Sequence, residues 1–228
     1  MPRRPPRFCR LWIGILGAAV CLLPALTGCG GGDVDGDREA AALDHEFVGP
    51  TPTPTPVVWG KRVEGYRNRV NALFATEEGP LNPQDREAFT GLEYFPPDLA
   101  FRFVVTPDTR KAGQPVSIFD TEGNPRYYTV HSEIHLRMGD TPVTLTIYRP
   151  QDGDHLFLPF QDATTGKETY ELGRYLELRP REDGTIQVDF NFAKNPYCAY
   201  SDRWSCPGVP PTNRLDVAVT AGEKIFHP

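Results

Sequence analysis

Between positions 162 and 213 the chain is dense in side chains that can do chemistry: Asp162, Glu168, Tyr170, Arg174, Asp189, Asn191, Asn195, Tyr197, Tyr200 and Asn213. An arginine set among acids can clamp a carboxylate or a phosphate through two parallel hydrogen bonds. On an extended strand Asp189 and Asn191 share one face, with Phe190 and Phe192 on the other, and a polar strand face opposite an aromatic one can line a pocket. On this reading Asp162, Glu168, Tyr170, Arg174, Asp189, Asn191, Tyr197 and Asn213 are candidate ligand contacts. The competing reading is architectural. Asp and Asn cap turns, and Tyr and Arg build structural networks; Arg174, Asp189 and Asn213 would then be buried and bonded to backbone. A hydrolase could pair carboxylates such as Asp162 and Asp189, but any acidic chain offers such pairs, and there is no Gly-x-Ser-x-Gly elbow. No catalytic residue is assigned, and no cofactor is called for.

Two smaller groups carry their own chemistry. In His131-Ser132-Glu133-Ile134-His135 a strand would turn His131, Glu133 and His135 to one face, a weak candidate set for a metal, with Val130, Ile134 and Leu136 facing the core. Cys198 and Cys206 are the pair left once Cys9, Cys21 and Cys29 are accounted for by the N-terminal segment. In an oxidising compartment they are expected to form a disulfide, worth about 2–3 kcal/mol for so short a loop on the chain-entropy model; the alternatives are a reactive thiol or a metal site.

The N-terminus sets the compartment. Arg3, Arg4, Arg7 and Arg10 precede an apolar run from Leu11 to Leu26, and Leu26-Thr27-Gly28-Cys29 closes the segment. This is the layout of a secretory signal, with an apolar run shorter than the about 20 residues a membrane-spanning helix needs. Leu-Thr-Gly-Cys resembles the lipobox of bacterial lipoproteins, in which the cysteine is acylated and becomes the first mature residue. The expectation is an exported chain with residues 1–28 as signal peptide, lipid (palmitate among the acyl chains) on Cys29, and anchorage to the cell membrane or outer membrane. Gly30 rather than Asp after the cysteine resembles the signal for passage to the outer membrane. Two or more acyl chains anchor stably where one does not. The whole chain has 24 basic and 30 acidic side chains, a net charge of −6. Losing the four signal arginines moves that to −10, which argues against nucleic acid and against adhesion to an anionic surface.

Residues 29–56 read as a tether: a Gly/Asp-rich stretch, then Thr51-Pro52-Thr53-Pro54-Thr55-Pro56, which favours an extended spacer of about 3.1 Å per residue. Residues 57–228 suit one domain. Trp59, Val63, Tyr66, Val70 and Leu73 make one face of an amphipathic helix, and Asn82-Pro83 starts a second, short one. Eight β-branched or aromatic runs follow, punctuated by Gly, Pro, Asp and Asn: 99–105, 115–120, 127–137, 143–148, 155–160, 175–178, 185–192 and 215–221. The expected fold is mainly β, an antiparallel sandwich or partly closed barrel of about eight strands, preceded by one or two short helices.

The same residues form an ordered string. Phe89-Thr90-Gly91-Leu92 and Tyr94-Phe95-Pro96 lead to Leu156-Phe157-Leu158-Pro159-Phe160-Gln161-Asp162-Ala163-Thr164-Thr165-Gly166, then Glu168-Thr169-Tyr170 and Gly173-Arg174-Tyr175-Leu176. Asp189-Phe190-Asn191, Asn195-Pro196-Tyr197-Cys198-Ala199-Tyr200, Cys206-Pro207, Pro210-Pro211, Asn213-Arg214-Leu215 and Ala221-Gly222-Glu223-Lys224 complete it. This string resembles the prokaryotic family catalogued as domain of unknown function sixteen-eighty-four. The resemblance covers nearly all of the domain and implies no reaction. The resulting expectation is an envelope lipoprotein that binds a small polar ligand or an envelope partner. A hydrolase built on the Asp/Glu/Tyr/Arg cluster and a structural module without ligand stand as alternatives.

Overall fold

The computed structural model describes residues 48–49 and 55–226. The signal segment, Cys29 and most of the tether lie outside the described residues. Helix α1, Pro56–Phe74, starts at a proline, whose missing N–H costs nothing in a first turn. It buries Trp59, Val63 and Phe74. The inward stripe ends on Phe74 rather than the expected Leu73, which is 39% exposed. Helix α2, Pro83–Ala88, follows Asn82 as anticipated.

Seven strands follow: β1 Arg102–Val105, β2 Pro115–Phe119, β3 Pro125–Met138, β4 Thr141–Pro150, β5 Leu156–Phe160, β6 Arg174–Leu178 and β7 Ile186–Asp189. They form an antiparallel sheet in the order β2-β3-β4-β5-β6 and a two-stranded antiparallel sheet of β1 and β7. The main core includes Phe103, Ile134, Leu145, Leu158, Phe160, Leu176, Val188, Phe190 and Val219. β3 alternates as a half-covered strand should: Val130, Ser132, Ile134, Leu136 and Met138 are buried, and His131, Glu133 and His135 face outward. Val48, expected within the tether, instead bridges β3: its N–H donates to the His135 carbonyl, and its own carbonyl accepts from Arg137.

Three sequence expectations change here. The 99–105 run begins as a 3₁₀ turn, Leu99–Phe101. The 185–192 run ends as one, Phe190–Phe192, because the Asp189 carboxylate accepts from the Asn191 N–H and caps the turn. The 215–221 run is no strand at all. Its Leu215 N–H and Val217 carbonyl bond to the backbone of Gln161 and Ala163 just after β5. Further on side chains take over: Asp162 accepts from the Val219 N–H, and Arg174 donates to the Val219 and Ala221 carbonyls.

β4 and β5 pair through Tyr148 and Phe157. Beyond that point Pro159 has no N–H to offer a ladder. Asn213 fills the break as a surrogate peptide: its side-chain oxygen accepts from the Thr146 N–H, and its amide donates to the Thr146 and Pro159 carbonyls, each at 2.8 Å.

Candidate functional site

The polar side chains singled out from sequence do not converge on one cleft; most are struts inside the fold. Arg174, at the start of β6, is fully buried. One of its terminal nitrogens donates to the Ala221 and Glu223 carbonyls, the other to the Val219 carbonyl (2.8 Å) and the Asp162 carboxylate (2.9 Å). The other Asp162 oxygen accepts from Val219 N–H, Thr164 N–H and the Thr164 hydroxyl. This pair therefore holds segment 219–223 where the eighth strand was expected. The guanidinium also sits 5.1 Å from the Phe160 ring centre. Burial draws its pKa below the ordinary arginine value, and Asp162 opposes that pull. Two glycines permit the close approach. Gly173 (φ +97°) and Gly222 (φ +80°) adopt backbone that L side chains avoid, and a β-carbon on either would lie within 2.6 Å of a carbonyl oxygen, that of Phe160 or Phe190.

A second strut centres on Asp189. Trp59 Nε1 donates to one oxygen at 2.8 Å, and Asn191 donates to the other from its backbone and its amide. Asn191 and Asp189 thus meet through a turn, not on a common strand face. A third joins Glu223, which is buried, to Tyr200 and Asn195. Tyr197 packs edge-on to Phe74 and Trp204, Tyr170 reaches the Cys198 carbonyl, and Glu168 is exposed. Asp162 and Asp189, the carboxylates picked as a hydrolytic pair, each have both oxygens committed to separate struts. At the candidate metal face, Glu133 pairs with Lys111 at 2.8 Å, His135 meets Thr144 at 2.9 Å and Asp108 at 3.6 Å, and His131 meets Ser132. The three do not converge, and no group of three metal-binding side chains occurs among the described residues. Cys198 and Cys206 are thiols here, not the expected disulfide; the Cys198 N–H donates to Cys206 Sγ at 3.1 Å.

A groove of about 620 Å³ lies elsewhere, along the outer end of β6. Its cationic lining is Arg62 from α1, Arg179 and Arg181 just after β6, and Lys194, with His155 beside them; Glu177 and Asp189 are its carboxylates. Tyr66 and Phe192 form an aromatic wall, edge to face at 5.1 Å, and the Arg62 guanidinium lies 5.9 Å from the Phe192 ring. The flanking cations make exposed pairs: Lys194 with Glu177 (2.6 Å), Arg179 with Asp154 (3.0 Å) and Arg181 with Asp183 (3.8 Å). Pairs of this kind contribute about 0–1 kcal/mol each, so an incoming anion can compete for the cations. Burial disfavours the Glu177 charge, yet Lys194 holds its pKa below the ordinary carboxylate value. Of the eight candidate ligand contacts read from sequence, Asp189 alone lines this groove. The cations were missed; the available signal was Arg179-Pro180-Arg181, a basic patch closing a strand in an acidic chain.

The protein is thus mainly β, with a five-stranded antiparallel meander and a short β1–β7 sheet held by buried polar struts. Residues 87–224 match the family described as protein of unknown function (DUF1684), and the chain belongs to that family. The chain is also similar to a solution NMR structure of an uncharacterized protein of Haloarcula marismortui, with 34% identity over 74% of this chain and 95% of that one and a TM-score of 0.58. No curated protein matches.

Proposed function

We propose that this protein is an exported lipoprotein, anchored through Cys29, whose β domain binds a small anionic ligand in the groove at the end of β6. The observation that carries the binding reading is a groove of about 620 Å³ where four cationic side chains from three chain segments meet beside an aromatic wall, on a chain of net charge −6. Pockets of about 300–1,000 Å³ accommodate small molecules. Arginines present planar forks that suit carboxylates and phosphates. The anchor reading is supported by the basic, apolar and Leu-Thr-Gly-Cys order of residues 3–29. Among the described residues no helix is long and apolar enough to cross a membrane, so this reading gives the membrane contact to the lipid. In such a compartment Cys198 and Cys206 would meet oxidants.

A thermal-shift panel of phosphate, pyrophosphate, citrate and sugar phosphates at low ionic strength tests the binding, with uncharged sugars as controls. A rise in melting temperature confined to the multivalent anions, and weakened by salt, is the expected result; equal responses from neutral sugars, or none from any anion, would sink the reading. For the anchor, a radiolabelled palmitate precursor should label the wild-type chain in a bacterial host and not Cys29→Ser. Labelling that survives the substitution contradicts it.

A further inference from the structure

Apart from the basic groove, a smaller cavity of about 240 Å³ opens beside β6 and is lined by both Cys198 and Cys206, together with Tyr175, Val209 and Arg214. Cys198 sits in the 3₁₀ turn Tyr197–Ala199 and is half-buried; Cys206 is 6% exposed and meets solvent through this cavity. The surroundings make the two sulfurs unequal. Cys206 Sγ accepts from the Cys198 N–H at 3.1 Å. The neighbouring Cys198 thiol lowers the Cys206 pKa below the ordinary thiol value, against the opposing effect of burial, and the Cys198 N–H and the positive charge of Arg126 act in the same direction. Cys198 is pushed the other way, by donating to Cys206 and by burial. One sulfur is thus disposed to be the thiolate and its neighbour to hold the proton.

We propose that Cys198 and Cys206 form a dithiol site for thiol–disulfide exchange, with Cys206 as the attacking sulfur and a low-molecular-weight or protein disulfide as the oxidant. The Cys206 thiolate attacks one sulfur of the oxidant, breaking its S–S bond and releasing one thiolate. Cys198 then gives up its proton, attacks Cys206 Sγ in the mixed disulfide and expels the second thiolate. The oxidant gains two electrons and ends as two thiols, and the chain gains one internal disulfide. The consequence reaches the helices. Between the two cysteines, Ser201 meets Asn82, Arg203 donates to the Gly79 carbonyl at 2.7 Å, and Trp204 donates to the Pro80 carbonyl. Closing the pair therefore tightens the segment that grips the α1–α2 connection.

The full chain is equilibrated in buffers of graded reduced and oxidised glutathione, acid-quenched and alkylated. Peptide mapping then separates the pair from Cys9, Cys21 and Cys29. Loss of two hydrogen atoms within the 198–206 region, graded with the glutathione ratio and reversed by dithiothreitol, is expected. Cys198→Ser, whose hydroxyl can still donate to Cys206, should trap one glutathionyl group on Cys206. It should also react with an aromatic disulfide on the order of tenfold faster than Cys206→Ser. Alkylation of both cysteines at every ratio overturns the proposal, as does a trapped adduct that forms faster on Cys198 in Cys206→Ser.

Discussion

The two ends of β6 handle charge in opposite ways. At its start Arg174 is wholly buried, paired to Asp162 and bonded to three backbone carbonyls. Just past its end Arg179 and Arg181 stand in water, loosely paired beside a groove. A buried charge needs partners, because each missing one exposes the cost of taking an ion out of water. Both terminal nitrogens of Arg174 are taken by the fold, and its buried Nε carries no hydrogen bond; a guanidinium held this way binds the fold together. An exposed pair holds its partners weakly and can exchange them for an anion. Arginine between acids is the same sequence signal in both places; burial decides which role it takes.

The largest break in this contrast should come from Arg174→Met. Leaving Asp162 buried without its partner should cost about 3–5 kcal/mol, read as a fall in the urea midpoint. The double variant Arg174→Met/Asp162→Leu should recover part of that loss, because removing both charges leaves neither orphaned. A double variant no better than the single one would mean that the pair is not the clasp. Gly222→Ala, which forces a β-carbon against the Phe190 and Ala193 carbonyls at positive φ, should cost about 1–3 kcal/mol.

A pH titration sharpens the buried side of the comparison. Glu223 is enclosed with Tyr200 and Asn195, and burial, outweighing their hydrogen bonds and the Arg174 charge, pushes its pKa from 4.5 up to about 7. The folded chain then holds a proton between those values that the unfolded chain has lost. This group's contribution to stability is therefore full below pH 4.5 and is lost as the pH rises through about 7. Glu223→Gln cannot titrate, so the stability difference between wild type and variant should shift in favour of wild type as the pH is lowered across that window. A difference independent of pH would show that Glu223 is already ionised in the fold. The smallest effect belongs to the open side: Arg179→Glu should change stability by no more than about 0.5–1 kcal/mol.

Much of the fold was legible because strand alternation is local: β3 reads from Val130 to Met138 as buried and outward residues in turn. What was hidden depended on distant partners. The 215–221 run has strand composition, but its carbonyls at Val219 and Ala221 are claimed by Arg174, more than forty residues earlier. Asp189 and Asn191 read as strand neighbours until the carboxylate closes a turn on the Asn191 N–H. The density of polar residues after Asp162 was real, yet its chemistry is mostly structural. The groove cations come from positions 62, 179, 181 and 194, and no spacing in the sequence brings those together.

The contrast between clasp and groove is tested most directly by titrating pyrophosphate, calorimetrically at low ionic strength, into wild type and into Arg62→Ala/Arg179→Ala/Arg181→Ala/Lys194→Ala. Wild type should bind with an affinity that falls as salt is added. The variant should lose binding by tenfold or more while keeping its melting temperature within a few degrees. Equal binding by both proteins, or no binding by wild type, would contradict the assignment of the groove.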